Sequence, residues 1–518
     1  MNNVWIAAYD RFRTNLRNPV MRRNVAWMMA GKAIGLLFVI MLITVALPHA
    51  AMAAEGDDAP DPVATVNAVN TAWTLIAAFL VFCMQVGFVM LEAGFARERE
   101  AVNILVEGIA DTCICGVLFW AIGFAFMFED GNGLIGTHGF FLHGLEPTYG
   151  TTGVPLLAFW VFQYAFADTA STITSGAMVG RCGFIGDILY SIGVTGFIYP
   201  IMGHWAWGPD GWLAVRLFHD FAGSTVVHTI GGTISLAGAI ALGPRLGRVF
   251  KRDGGGPMLP HNIIMGAVGG LILWFGWYGF NPGSTLSALD SAGIGRVSFN
   301  TTMAACTAGL TGLFVSYARS GKWDLGLTVN GFLAGLVAIT CPCYWVSPFG
   351  AACIGIIGSV AMMIGLETLE YLRIDDPIGA VPVHMFAGMA GTMALGLFAT
   401  GEFGAPTSLG ADTSATVQGL FYGGGGHLLV VQTYGTFAIA AAVFAVSLVL
   451  MYAVKATSTL RISREGELEG LDLHEHGVFG YPEFVVNRGM GGVHSVPAGA
   501  QAAEAVPSAT PSASPTAP

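Results

Sequence analysis

Residues 220–242 read Asp220-Phe221-Ala222-Gly223-Ser224-Thr225-Val226-Val227-His228-Thr229-Ile230-Gly231-Gly232-Thr233-Ile234-Ser235-Leu236-Ala237-Gly238-Ala239-Ile240-Ala241-Leu242. From Phe221 to Leu242 the run contains no Asp, Glu, Lys or Arg, and its one ionisable side chain is His228. An apolar run of about 20 residues is long enough to cross a bilayer as a helix. Hydrocarbon offers no water to satisfy backbone groups, so a single open-ended span has to be helical. Asp220 precedes His228 by eight positions, a rise of about 12 Å along a helix. The spacing therefore predicts an aspartate near one interface and a histidine near the midplane.

The same arrangement occurs a second time. Asp376 precedes His384 by the same interval, and His384 lies inside the apolar run Ile378 to Phe398. Ionisable residues within membrane spans are costly, and they mark pathways and relays more often than packing. One membrane histidine reads equally well as a helix–helix hydrogen bond. Two in register read better as a site. Both aspartates also fit an N-terminal helix cap, and Asp376 reads mainly as one.

The rest of the chain carries the same signal. Of 518 residues, 54% are hydrophobic and 11% charged, against about 25% charged in a soluble protein. About eleven spans centre near residues 82, 114, 165, 194, 232, 270, 307, 334, 358, 392 and 442. Arg97 and Arg99, Arg181, Arg245 to Arg252, Arg319 and Lys322, Arg373, and Lys455 to Arg464 all follow odd-numbered spans. Only Arg216 and Arg296 lie on the other side. Positive residues stay cytoplasmic, which predicts an outside mature N-terminus, an inside C-terminus and an odd span count. Spans five and ten then enter from opposite faces, as expected of a 5+5 inverted repeat with its site at the midplane. The expected fold class is an all-α polytopic protein of the cytoplasmic membrane.

Residues 1–53 read as a signal peptide, with a basic front, an apolar run from about Ala33 and a small-residue cleavage site. Residues 54–68 follow as an extracellular linker, 69–456 as the membrane domain and 457–484 as a cytoplasmic C-terminal segment. Residues 485–518, rich in Ala, Pro and Ser, have the composition of a disordered tail. The net charge of −11 points to no basic partner, because the acids are expected in loops and tails. Cys341-Pro342-Cys343 lacks the second thiol pair that a zinc site needs. No metal, cofactor or nucleic acid is expected. The glycine runs Gly254 to Gly256 and Gly423 to Gly426 lack the strand-to-helix context of a phosphate loop. No nucleophile motif accompanies the histidines, so an intramembrane enzyme is disfavoured.

The stretch Asp220 to His228 closely resembles the signature of the Amt ammonium transporter family. So do Gly279-Phe280-Asn281-Pro282-Gly283-Ser284, Phe162-Gln163-Tyr164-Ala165-Phe166-Ala167, His204-Trp205-Ala206-Trp207-Gly208, Asp375-Asp376-Pro377 and Val383-His384. The resemblance runs in order from about residue 70 to 484. It implies a homotrimer with one pore per subunit. Trp207, Phe166 and Ser284, with Asp220, would recruit ammonium at the outer mouth. Phe166 and Phe280 would form a gate, and His228 and His384 would line the passage beyond, with Thr340 facing the pore. Methylammonium would be a further substrate, and the segment around Glu469 to Asp472, His476-Gly477 and Tyr481 resembles a tail that communicates with PII-type signal proteins. Two positions depart from the family. Phe95 to Asn103, with Glu98-Arg99-Glu100, replaces a basic Lys-Asn turn, and Gly180-Arg181 stands where the family commonly has Glu-Arg. Two rival functions are open to the same scaffold. A sensor would usually carry a large signalling domain, and an Rh-type gas channel is disfavoured by Trp207 and Ser284.

Overall fold

A computed structural model describes residues 62–150, 152–412 and 416–482. The expected signal peptide and the tail from 485 lie outside these residues. The chain is mostly helical. Among the described residues eight helices are long and apolar enough to cross a membrane. In chain order, α1 (Val63–Phe95) and α2 (Glu98–Phe128) precede α3, Leu156–Gly176. Next come α4 (Phe184–Trp207), α5 (Ser224–Leu242) and α6 (Ile263–Thr285). After α7 (Ser291–Ser320) and α8 (Leu325–Thr340) follow α9 (Pro348–Leu372), α10 (Val381–Phe398) and α11 (His427–Ala456). Helices α3, α7 and α8 are more polar or, at 16 residues for α8, shorter than the other eight. Helix α1 begins inside the stretch expected as a linker. His427 is the first residue of α11. Two short helices, α12 (Arg464–Glu469) and α13 (Leu471–His476), close the described chain.

Large apolar side chains stand exposed on the long helices, among them Ile109, Phe275 and Val449 at 60–71%. On a soluble protein such faces would be sticky; on a membrane protein they meet lipid tails. With no hydrophobic drive between helices in lipid, close packing must hold them together, and glycine supplies it. A Cβ on Gly94 of α1 would lie 2.2 Å from the backbone nitrogen of Gly266 in α6. One on Gly391 of α10 would lie 2.0 Å from the Ala338 carbonyl of α8.

Helices α5 and α10 open in the same way. Asp220 Oδ1 accepts from the backbone N–H groups of Gly223 and Ser224, and Oδ2 from Thr225 and Val226, at 2.8–3.0 Å. Asp376 accepts from Gly379, Ala380 and Val381 at 2.8–3.1 Å. The third residue after each aspartate is a glycine with positive φ, +112° at Gly223 and +84° at Gly379, a conformation only glycine adopts without strain. Each helix then starts with a π-helical turn, Ser224–Thr229 and Val381–Phe386, and each turn carries its histidine. The two helices run in opposite directions. Arg245, just past the end of α5, pairs with Asp375 at the start of α10 (2.8 Å), while Thr225 at the start of α5 meets Thr392 (2.8 Å).

One expectation fails. The acids do not gather only in loops and tails: Glu92, Glu107, Asp111, Asp168 and Asp187 are buried on α1 to α4, each at most 5% exposed. They are tolerated because neighbouring hydroxyls and amides share their lone pairs. Thr112 donates to Asp168 (3.1 Å), Ser191 to Asp111 (2.5 Å), Ser175 to Glu92 (3.2 Å) and Tyr190 to Asp187. The two departures from the family pattern also meet each other. Glu100 is fully buried and held by Arg97, whose Nη2 donates to the Gly180 carbonyl at 3.1 Å. A Cβ on Gly180 would lie 2.7 and 2.8 Å from the Glu100 carboxylate oxygens. The Glu100 carboxylate thus fills the space beside Gly180.

Candidate functional site

The site forms where α5 and α10 bring their π-helical openings together between α3, α4, α6 and α8. At one end Trp207, the last residue of α4, donates its indole N–H to the Asp220 carbonyl at 2.7 Å. That bond ties the indole to the loop that Asp220 caps. The Phe166 ring of α3 meets Trp207 edge-on, with centroids 6.2 Å apart at 65°. Phe280, at the C-terminal end of α6, stacks on Phe166 at 4.1 Å and 26°. Both phenylalanines are at most 1% exposed. Ser284, one turn beyond Phe280, donates its hydroxyl to the Phe280 carbonyl at 2.8 Å. Its oxygen lone pairs are therefore left to accept from a ligand.

Beyond the phenylalanines stand the histidines. His228 Nδ1 and His384 Nδ1 are 3.1 Å apart. A hydrogen bond between them needs one proton, so one ring donates and the other accepts. Nε2 of His228 is buried and has no partner. His228 packs against two aromatic rings, Trp277 at 5.1 Å and 19° and Phe280 at 5.4 Å and 26°, which themselves meet at 5.6 Å. The sequence reading missed Trp277. It sits one turn before Phe280 on the same helix face, but a tryptophan in an apolar span usually just packs.

Thr340 is fully buried on α8. Its hydroxyl accepts from Trp277 Nε1 at 2.9 Å and donates to the Leu336 carbonyl at 2.7 Å. One acceptor lone pair remains, and Trp277, which Thr340 holds, packs against His228. His204, assigned to a helix end, is also fully buried. Its ring nitrogens lie 3.0 Å from the Met127 carbonyl and 2.9 Å from that of Asn132, which is a packing role. Among the described residues no group of three or more His, Cys, Asp and Glu side chains could hold a metal ion.

Three aromatic rings leading to a histidine pair, all inside a bundle of apolar helices, define a membrane protein with a narrow, largely apolar path. The comparisons with known proteins agree with that class. The description of the Ammonium Transporter Family matches residues 72–481, and the chain belongs to that family. It is 42% identical over 429 residues to "Ammonium transporter Amt2" of Archaeoglobus fulgidus, covering 80% of this chain and 89% of that one. It is 38% identical over 416 residues to "Putative ammonium transporter sll1017" of Synechocystis, covering 79% and 88%. Among solved structures, "Sensor Amt Protein" superposes with a TM-score of 0.71 at 37% identity, covering 79% of this chain and 98% of that one. Mep2 of Saccharomyces cerevisiae does so with 0.70 at 26%, covering 77% and 88%. Two of these relatives are named ammonium transporters and one a sensor, none is named an enzyme, and the chain is a multi-pass membrane protein rather than an enzyme.

Proposed function

We propose that the protein moves ammonium: it recruits the ion at an outer vestibule, removes a proton, and passes ammonia along the histidine pair, with or without that proton following through the imidazoles. The observation that carries this reading is the 3.1 Å contact between His228 and His384, with the unpartnered Nε2 of His228 beside it. Taking a bare monovalent cation into low dielectric costs on the order of 20 kcal/mol by idealised Born estimates. Neutral ammonia avoids most of that cost, and a potassium ion of similar size has no proton to give up. Deprotonation at the mouth therefore selects where size alone does not. The ring faces of Trp207 and Phe166 attract the cation, and Ser284 accepts one of its N–H groups. Asp220 adds negative charge near the mouth. Its four backbone hydrogen bonds fix the carboxylate in place, so it acts through its field rather than by contact. The stacked pair Phe166 and Phe280 has to part for the substrate to pass. Methylammonium is a second substrate on the same chemistry.

The remaining parts of the reading belong with this one. The helices form eleven spans in a 5+5 inverted repeat, with the mature N-terminus outside and the C-terminus inside the cytoplasmic membrane. The antiparallel α5 and α10 with their matching openings support that. The protein works as a homotrimer. Its C-terminal segment, residues 457–484, answers to a PII-type protein at the cytoplasmic face. Ammonium-evoked current in proteoliposomes, which needs the released proton to cross as well as ammonia, and radiolabelled methylammonium flux test the central claim. Wild type should respond, and His384→Ala and Asp220→Ala should lose most of the response. Wild type that binds ammonium without passing current or radiolabelled methylammonium would be a sensor.

A further inference from the structure

The carboxyl group of Glu92 is not used by the reading above, yet it faces the same path. A narrow cavity on the side of the histidines away from Trp207 is lined by Phe88, Glu92, Ile173, Asn330, Gly379 and His384, among others. Glu92 is 4% exposed, and its hydrogen-bond donor is the Ser175 hydroxyl at 3.2 Å. That hydroxyl also reaches the Thr172 carbonyl at 2.8 Å, so its single proton is shared between two acceptors. Asp187 and Asp376 add negative charge around Glu92, and Arg181 offsets that of Asp376. An ionised carboxylate in such surroundings is costly unless a cation or a proton joins it.

Asn330 completes the cavity. Its Nδ2 donates to the Ile378 carbonyl at 3.1 Å, which leaves the amide oxygen as an acceptor. A Cβ on Gly379 would lie 2.9 Å from that nitrogen, so the glycine leaves room for the amide. Asn330 also lines a second, wider cavity, where Glu367, Glu370 and Asp376 stand beside Arg248, Lys251 and Arg319. The route from His384 therefore continues past Glu92 and Asn330 toward a mouth of mixed charge, with Arg248 paired to Glu370 and Lys251 and Arg319 to Glu367.

We propose that Glu92 and Asn330 form a second ammonium site on the inner side of the histidine pair. The site rests on the transport reading above, in which ammonia emerges from the histidines and takes up a proton from the inner solution to become ammonium. Ammonium fits because it brings one positive charge and four N–H donors to a carboxylate and an amide oxygen that lack them. The aromatic vestibule selects; this site holds the ion at the exit and sets the affinity from the inner face.

Radiolabelled methylammonium flux in right-side-out and inside-out membrane vesicles, competed by ammonium, tests it with wild type, Glu92→Gln, Glu92→Asp and Asn330→Ala. Half-saturation at the inner face should rise about tenfold in Glu92→Gln. It should rise less in Glu92→Asp, while the outer-face value stays within about twofold in both. If Glu92→Gln does not assemble, Asn330→Ala decides, with an expected rise of about threefold at the inner face only. Wild-type flux with an unchanged inner-face value in the deciding variant overturns the inner site and leaves the transport reading standing. No wild-type flux in either vesicle overturns the transport reading itself.

Discussion

The Asp220 carboxylate makes no ion pair and no contact with the aromatic vestibule, yet it accepts four backbone N–H groups at 2.8–3.0 Å. An asparagine there keeps the shape but offers one oxygen, and turns an NH2 group toward two of the donors. Leaving buried donors unsatisfied costs about 1–3 kcal/mol. Asp220→Asn should therefore lower the apparent Tm in detergent, followed by tryptophan fluorescence. Asp376→Asn should lower it less, because three N–H groups are involved instead of four. Equal losses, or none, would mean that the caps do not hold these openings. Trp277 makes a second residue-level case. Trp277→Ala removes the ring under His228 and leaves Thr340 with an unmet acceptor. A buried tryptophan truncated to alanine costs about 3–5 kcal/mol. Trp277→Phe should recover most of the stability but not all of the flux, since the indole N–H to Thr340 is still missing.

At the scale of the elements, the paired histidine helices were legible in the sequence and their local shape was not. Helical rise turns the Asp-x7-His interval into a depth, which is why two residues in register sufficed to pick out His228 and His384. Nothing in the composition of Ser224–Thr229 or Val381–Phe386 marks a π-helical turn, because that choice is settled by what packs around it. The buried acids were missed for a related reason. Glu92, Asp111 and Asp168 each fall singly among apolar residues, and an apolar run absorbs one charge without losing its character. Their hydrogen-bond partners, such as Ser175 and Thr112, lie on other helices far away in the chain. Glu100 and Gly180 could be seen as departures, but that they compensate each other required their contact. That contact yields a prediction. Gly180→Glu alone should destabilise, by a clash and by like charge against Glu100. Adding Glu100→Asn should restore only part of the apparent Tm, because Gly180 has φ +81° and any side chain there is strained. Simple additivity of the two changes, read in a double-mutant cycle, would rule the exchange out.

For the whole molecule, the end of α5, the start of α10 and the C-terminal segment are fastened at one corner. Arg245 holds both Asp375 oxygens at 2.8 and 3.0 Å, and Arg181 donates to the Asp375 carbonyl at 2.6 Å. Arg461 donates to the Leu242 carbonyl at 2.6 Å and pairs with Glu467 at 2.8 Å. Burial alone would raise the Asp375 carboxyl, but the hydrogen bonds and charge of Arg245, with the charge of Arg181, hold it well below the usual carboxylate range. The folded state thus releases this proton more readily than the unfolded chain. The stability it contributes is present above the unfolded value of about 3.9 and is lost as pH falls through that value toward the folded one. Apparent Tm should be insensitive to Asp375 from about pH 5 upward and drop on acidification, and Asp375→Asn should lower the neutral-pH value while flattening that drop. The corner was only half legible. Asp375-Asp376-Pro377 stood out as a motif, whereas its arginine partners read merely as cytoplasmic charges.

The π-helical turns have a further consequence, for insertions and deletions rather than for substitutions. A π turn holds one residue more than an α turn, and each residue of an α-helix advances about 100° around the axis. Removing any one residue from Ser224–Thr229 would let the turn relax to an ordinary helix. The flanking helix would keep its facing, but the side chains inside the turn would be re-aimed relative to it. The cap at Asp220 and the histidine at 228 would no longer address the same path, although every type of side chain was still present. The same holds for Val381–Phe386. Sequences that keep both aspartates and both histidines but change the count between them by one should therefore fold less well and conduct nothing.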